Sequence, residues 1–237
     1  MVGRASGDHI RVDGQAYPLP QHGFARRSAF EIVATTQDSA NLRLRANDAT
    51  RSAYPFAFRL DLAYALDGST LKVAATVTNE DERRLPCSLG FHPAFRWPLP
   101  GGRGAHEVRF SQPEPAPIRR LANGLLEGRS YPSPAASGVL PLDPALFAQD
   151  ALIFDQLRSR LIAYGPPEGP EVEIYFPDLP HFGLWSKPGA PFVCLEPWQG
   201  YAAPEGLDGE FAERPGVVII APGEHRVFAM DITIKPV

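Results

Sequence analysis

Three short segments each set one ionisable side chain inside an apolar run, beside glycine or proline. They are LPQHGFARRSAF around His22, LGFHPAFRW around His92 and VCLEPWQGY around Glu196. Glu196 follows Val193, Cys194 and Leu195, which read as a buried strand, and ionised carboxylates are seldom buried without a partner. Each residue has a structural reading: a salt bridge to an arginine for Glu196, satisfied ring nitrogens for the histidines. Each also has a chemical one. A carboxylate and imidazoles gathered at strand ends can serve one ligand as base and acid. Flat aromatics stand nearby at Trp185 and Trp198. Their faces pack on the apolar face of a sugar ring while charged groups take its hydroxyls. Together these residues suit a site for a polyhydroxylated ligand. His92 adds a question of position, because Pro93 follows it at once and proline marks a strand's edge, bulge or end. Such a break would project the imidazole into a cleft.

Other chemistries lack their residues. The six histidines contain no H-x-H or H-x-x-H pair, and HEVRF at 106 to 110 lacks the second histidine and the helix of a zinc-protease motif. Cys87 and Cys194 are far apart, have no C-x-x-C pairing and read as two buried free thiols. The spacing predicts no metal site, leaving only one built from residues distant in sequence. No dinucleotide fingerprint, Walker sequence or G-x-S-x-G elbow occurs.

The elements that must position these residues read as strands. Proline occurs 26 times, spread throughout, which leaves little room for long helices. In FAFRLDLAYALDG, Phe58, Leu60, Leu62, Tyr64 and Leu66 share one face, and Asp67-Gly68 is a hairpin turn signal. TLKVAATVTN continues with Leu71, Val73, Ala75 and Val77, which completes a hairpin. Further strands are predicted in NLRLRAN, HEVRF, ALIFDQL, RLIAYG, VEIYFP, HFGLWSK, FVCLEPW, VVIIAP and HRVFAMDITI. A short helical turn or loop is expected in LDPALFAQ, 142 to 149. The turn-rich stretch 111 to 138 reads as an elaborated surface connection. The expected fold class is all-β, a sandwich of mainly antiparallel sheets in one domain over 1 to 237.

Bulk properties narrow the partners. The 237 residues are 44% hydrophobic and 21% charged, with a formal net charge of −4. No basic block is present, so nucleic acid is not an expected partner. No apolar run reaches the ~18 residues of a membrane span, and MVGRASGDHIRVDG has no signal-peptide core. A cytoplasmic location is expected. The sequence is silent on oligomeric state.

HGFAR at 22 to 26, GFHPAF at 90 to 95, DALIF at 150 to 154 and FGLWSKPGAPFVCLEPWQG at 182 to 200 resemble the aldose 1-epimerase (galactose mutarotase) family, in particular its bacterial lactose-operon-type branch. The resemblance covers nearly the whole chain, and the Glu-Pro-Trp segment is its most specific part. It implies a galactose mutarotase-like β-supersandwich and cofactor-free interconversion of α and β anomers of a free aldose. It also implies the roles. Glu196 matches the general base on the C1 hydroxyl, and His92 the general acid on the ring oxygen. His22 matches the second active-site histidine, Asp150 the aspartate that holds sugar hydroxyls, and Arg4, in VGR, a substrate-contacting arginine. A carboxylate near His92 would favour the imidazolium that the acid role needs. Family members usually have some tens of residues before the glycine-arginine motif, whereas this chain starts almost on it. Two other functions fit the same residues. A hexose 6-phosphate mutarotase would need a basic rim, for which Arg26, Arg27 and Arg96 are candidates. A non-catalytic carbohydrate-binding protein would need no acid–base pair.

Overall fold

The computed structural model describes residues 2–236. Two sheets carry the architecture. The larger has nine antiparallel strands in the order Val139–Pro141, Glu107–Phe110, Leu161–Gly165, Glu171–Tyr175, His225–Lys235, Thr70–Asn79, Phe58–Asp67, Ser39–Arg45 and Glu31–Thr35. The predicted hairpin lies inside it, with strands paired on both sides. Phe58 pairs with Asn79 and Asp67 with Thr70, and Gly68 turns the chain at φ +58°. Alternation decides which face is inward: Phe58, Leu60, Val73, Ala75 and Val77 are buried.

The smaller sheet runs Leu152–Phe154, His181–Trp185, Phe192–Gln199, and then two short strands, Leu89–Gly90 and Ala94–Arg96, both paired with Phe192–Gln199. One face of this sheet packs on the nine-stranded sheet. Phe154, Phe182, Leu184, Val193 and Leu195 interleave there with Phe110, Ile162, Tyr164 and Ile174 in a single core. Phe110 meets Phe154 at 5.2 Å between ring centroids, and Phe176 stacks on Phe182 at 6.0 Å. The Tyr164 hydroxyl crosses between the sheets to donate to the Arg96 carbonyl at 2.8 Å. The opposite face carries a smaller cluster of Val2, Leu126, Ala151, Ile153 and Trp198, and with it the candidate site.

All the predicted strands form. LDPALFAQ becomes a single 3-10 turn, Pro144–Phe147, capped by the Asp143 side chain. The Glu31–Thr35 strand was not legible because all five of its residues are exposed, so no alternation marks it. The stretch 111 to 138 is less superficial than expected. Leu121–Ala122 pairs with Leu125–Leu126, and Glu114, Ile118, Leu126 and Ala135 are buried. Its turn residues hide this, because Glu114 is satisfied by the distant backbone amides of Arg158 and Ser159 at 3.0 and 2.7 Å. His106 is structural, accepting the Leu99 amide on its Nε2 at 3.0 Å. No helix among the described residues is long and apolar enough to cross a membrane.

Candidate active site

The break at His92 keeps register. Gly90 pairs with Trp198 on one side of it, and Ala94 with Cys194 on the other. Between them the Phe91 amide donates to the Pro197 carbonyl, and the Leu195 amide to the Pro93 carbonyl. Three residues therefore face three, and His92 falls opposite Glu196. Side chains directly opposite on antiparallel strands point to the same face. The His92 Nε2 stands 3.4 Å from a Glu196 carboxylate oxygen. Glu196 is the buried member and His92 the exposed one, with side-chain exposures of 4% and 44%.

Glycine makes the floor. Gly183, on the neighbouring strand, lies opposite Glu196. A Cβ at Gly183 would run into the six-membered ring of Trp198, and one at Gly90 into its five-membered ring. The indole thus lies flat across two positions that have no side chain, and Trp198 is 7% exposed. Trp185 is the wall, edge-on to His92 at 6.4 Å.

His22 arrives from the chain's first turns. It sits at φ +62°, and its amide donates to the Gly3 carbonyl at 2.8 Å while its Nδ1 accepts the Gly3 amide at 3.3 Å. That bond leaves the ring proton on Nε2. Burial, then Arg26 and His92, push its pKa down to about 4, so His22 is a neutral donor at physiological pH. Its ring lies 5.6 Å from that of His92.

A cleft of about 680 Å³ brings together His22, His92, Asp150, Trp185, Glu196 and Trp198, a size suited to a small ligand. Asp150 is exposed at φ +63°. Arg120 steadies it, donating to the carbonyls of Leu146 and Asp150 at 2.8 and 2.9 Å. Arg4 is the exception among the expected residues. Its guanidinium is held by the Asp8 carboxylate at 2.7 Å and the Asn123 carbonyl at 3.1 Å, and it does not line the cleft. The glycine of the same motif, Gly3, does. Gln21, Arg26 and Phe147 also line the cleft. Gln21 and Arg26 belong to the LPQHGFARRSAF segment already singled out, whereas nothing local marks Phe147.

The electrostatics differ from expectation. Burial raises Glu196 to about 8, opposed by the Trp198 side chain and reinforced by the Asp150 charge. Burial also lowers His92, against a bond with its own backbone and with further help from Arg26. Both charged forms are desolvated, and this outweighs the attraction between them. Near neutral pH the pair therefore holds one proton, resting on the carboxyl group, not the imidazolium expected from a neighbouring carboxylate.

The aldose 1-epimerase family model matches residues 3–213. The chain belongs to the aldose 1-epimerase family. Among its relatives is the plasmid-encoded Protein LacX of Lactococcus lactis subsp. lactis, 30% identical over 224 residues, 91% of this chain and 75% of LacX. The crystal structure of a galactose mutarotase related enzyme from Lactobacillus acidophilus superposes with a TM-score of 0.89 at 28% identity, covering 99% of this chain and 80% of that one. A galactose mutarotase-like protein from Lactobacillus casei ATCC 334 gives the same TM-score at 25% identity, over 99% and 82% of the two chains. This fold is the all-β sandwich expected from the strand pattern and the mutarotase-like architecture that the resemblance implied.

Proposed function

We propose that the chain is an aldose 1-epimerase that interconverts the α and β anomers of a free aldohexose by acid–base catalysis without a cofactor. The observation that carries this reading is the in-register pairing of His92 with Glu196, 3.4 Å apart in a cleft floored by an indole. The hydroxyl oxygen and the ring oxygen both sit on C1, so a base and an acid this close can serve both atoms of one sugar.

Glu196, as carboxylate, takes the proton from the C1 hydroxyl. The freed electron pair forms the carbonyl, the bond from C1 to the ring oxygen breaks, and the ring oxygen takes a proton from His92. The aldehyde rotates about C1–C2 and the ring closes on its other face with both transfers reversed. The site's single proton must first pass from the Glu196 carboxyl to His92, and their separation allows that transfer inside the cleft. His22 donates through Nε2 to the sugar, Asp150 accepts its hydroxyls, and the two tryptophans meet its apolar face. Acid–base assistance of this kind is worth ~10²- to 10⁴-fold.

Arg26 in the cleft wall supports a second reading, a hexose 6-phosphate as substrate. Arg27 and Arg96 do not line the cleft, so the rim offers one guanidinium rather than a cluster. Polarimetry on freshly dissolved α-aldoses, with glucose and glucose 6-phosphate side by side, tests both. Faster anomer equilibration of the free sugar is expected. Preference for the phosphate would move the assignment to the second reading, and an uncatalysed rate for every sugar would leave a carbohydrate-binding protein.

A further inference from the structure

Cys194 takes no part in the reaction proposed above, yet it stands beneath the acid–base pair. It lies two residues before Glu196 on the same strand, so both side chains point to the site face. The thiol is 2% exposed. Its Sγ, a His92 ring nitrogen and a Glu196 carboxylate oxygen all lie within 4.8 Å of one another. Ligand atoms held at the usual zinc distances to nitrogen and oxygen, in a tetrahedron, stand roughly 3.4 Å apart. The nitrogen and oxygen of His92 and Glu196 already do. The sulfur needs to close by about 1 Å to reach bonding distance.

We propose that His92, Cys194 and Glu196 form an inhibitory site for a borderline-soft divalent cation such as Zn²⁺. One thiolate, one imidazole and one carboxylate select zinc or cadmium over magnesium or calcium, which prefer all-oxygen shells. The cation enters from the cleft, where His92 is exposed. Coordination releases the thiol proton, and the carboxyl proton where it is held, to solvent. It occupies both groups that the sugar needs, so metal and sugar exclude one another. The cation would act as an inhibitor and not as a cofactor: activity is expected to persist after chelation and to fall when metal is added. Metal binding stands on this geometry alone, whereas inhibition also rests on the mutarotase reading.

The test uses the full chain with Zn²⁺ and Cd²⁺ as probes. Titration with Cd²⁺ is expected to give a near-ultraviolet thiolate-to-cadmium absorption band at one equivalent, present in Cys87→Ser and absent in Cys194→Ser. Zn²⁺ is expected to slow mutarotation competitively with sugar and reversibly with EDTA. Cys194→Ser should keep its basal rate while its inhibition constant rises by at least about tenfold, the lower end of what losing even an outer-shell partner of a metal ligand costs. Cys194→Ala, with folding checked by circular dichroism, controls for the buried hydroxyl. No band in the wild type, a band that survives Cys194→Ser, or equal inhibition of wild type and Cys194→Ser would each overturn the site. A Cys194-dependent band in a chain with no mutarotase activity would keep the metal site and reject only the enzymatic reading.

Discussion

The imidazole and the carboxylate of the cleft owe their properties to unequal burial. Both line the cleft, Glu196 buried in its floor and His92 exposed at its surface, so burial acts on the carboxyl group more strongly than on the imidazole. His92→Asn keeps a side chain of similar size but removes the group that titrates. It is expected to lower kcat by ~10²-fold or more with little change in sugar KM, because the acid acts in the transition state. Steady-state kinetics checks this, and a variant altered only in stability would return His92 to a structural role. The pH dependence follows from the two shifts. Above about 8 the pair loses its only proton and there is no acid. Below the depressed pKa of His92, under the usual 6.5, it gains a second proton and there is no base. The profile of kcat/KM should be a bell whose limbs belong to the pair, with the alkaline limb near 8. A profile that rises to a plateau above pH 9 would contradict it.

Strands and turns set those residues in place, and here the sequence was unevenly legible. Proline after His92 correctly marked a break, but only the partner strand shows that the break keeps register and puts His92 against Glu196. A glycine-arginine dipeptide does not say which of its residues faces inward. The chain turns so that Gly3 clasps His22, and Arg4 pairs with Asp8 outside the cleft. Cys194-x-Glu196 was visible as an i, i+2 pair on a strand, but its meeting with His92 depends on pairing across about a hundred residues of sequence. The glycines carry a consequence at this scale. Gly183→Ala must displace the Trp198 indole, an overpacking expected to cost 1–3 kcal/mol. That corresponds to a Tm roughly 2–12 °C lower, with loss of activity because the cleft floor tilts. Calorimetry and polarimetry on the variant check it, and an unchanged Tm would show that the floor is less tightly fitted. Arg120→Gln should raise sugar KM roughly three- to tenfold with kcat kept, since Arg120 reaches the site only through the Asp150 loop.

For the whole molecule, the buried carboxyl group is a burden on folding that the proposed catalysis requires. Its pKa is raised in the folded state, so the stability tied to it is complete below the unfolded value of 4.5 and is lost as pH rises through about 8. At pH 7, about 2.5 units into that window, the loss is at most about 3 kcal/mol. Glu196→Gln cannot ionise and escapes it. The variant is expected to melt higher than the wild type at pH 8, with the gap closing toward pH 4.5. Thermal scans across that range check the sign, and a constant gap would mean that Glu196 is not the titrating group. The sandwich itself was legible because long hairpins alternate in the sequence. Its edge at Glu31–Thr35 was not, because that strand has no buried face to announce it, and Ile32, 68% exposed there, looks like any strand residue.

The most direct test of the account measures the anomerisation rate of a fresh α-aldohexose with the wild type and with Glu196→Gln, alongside sugar affinity by calorimetry. The account predicts a catalysed rate in the wild type and a fall of ~10²- to 10⁴-fold in the variant, with sugar still bound within a fewfold of wild-type affinity and the fold intact. A variant that binds sugar and equilibrates its anomers as fast as the wild type would contradict the assignment of the reaction to the His92–Glu196 pair.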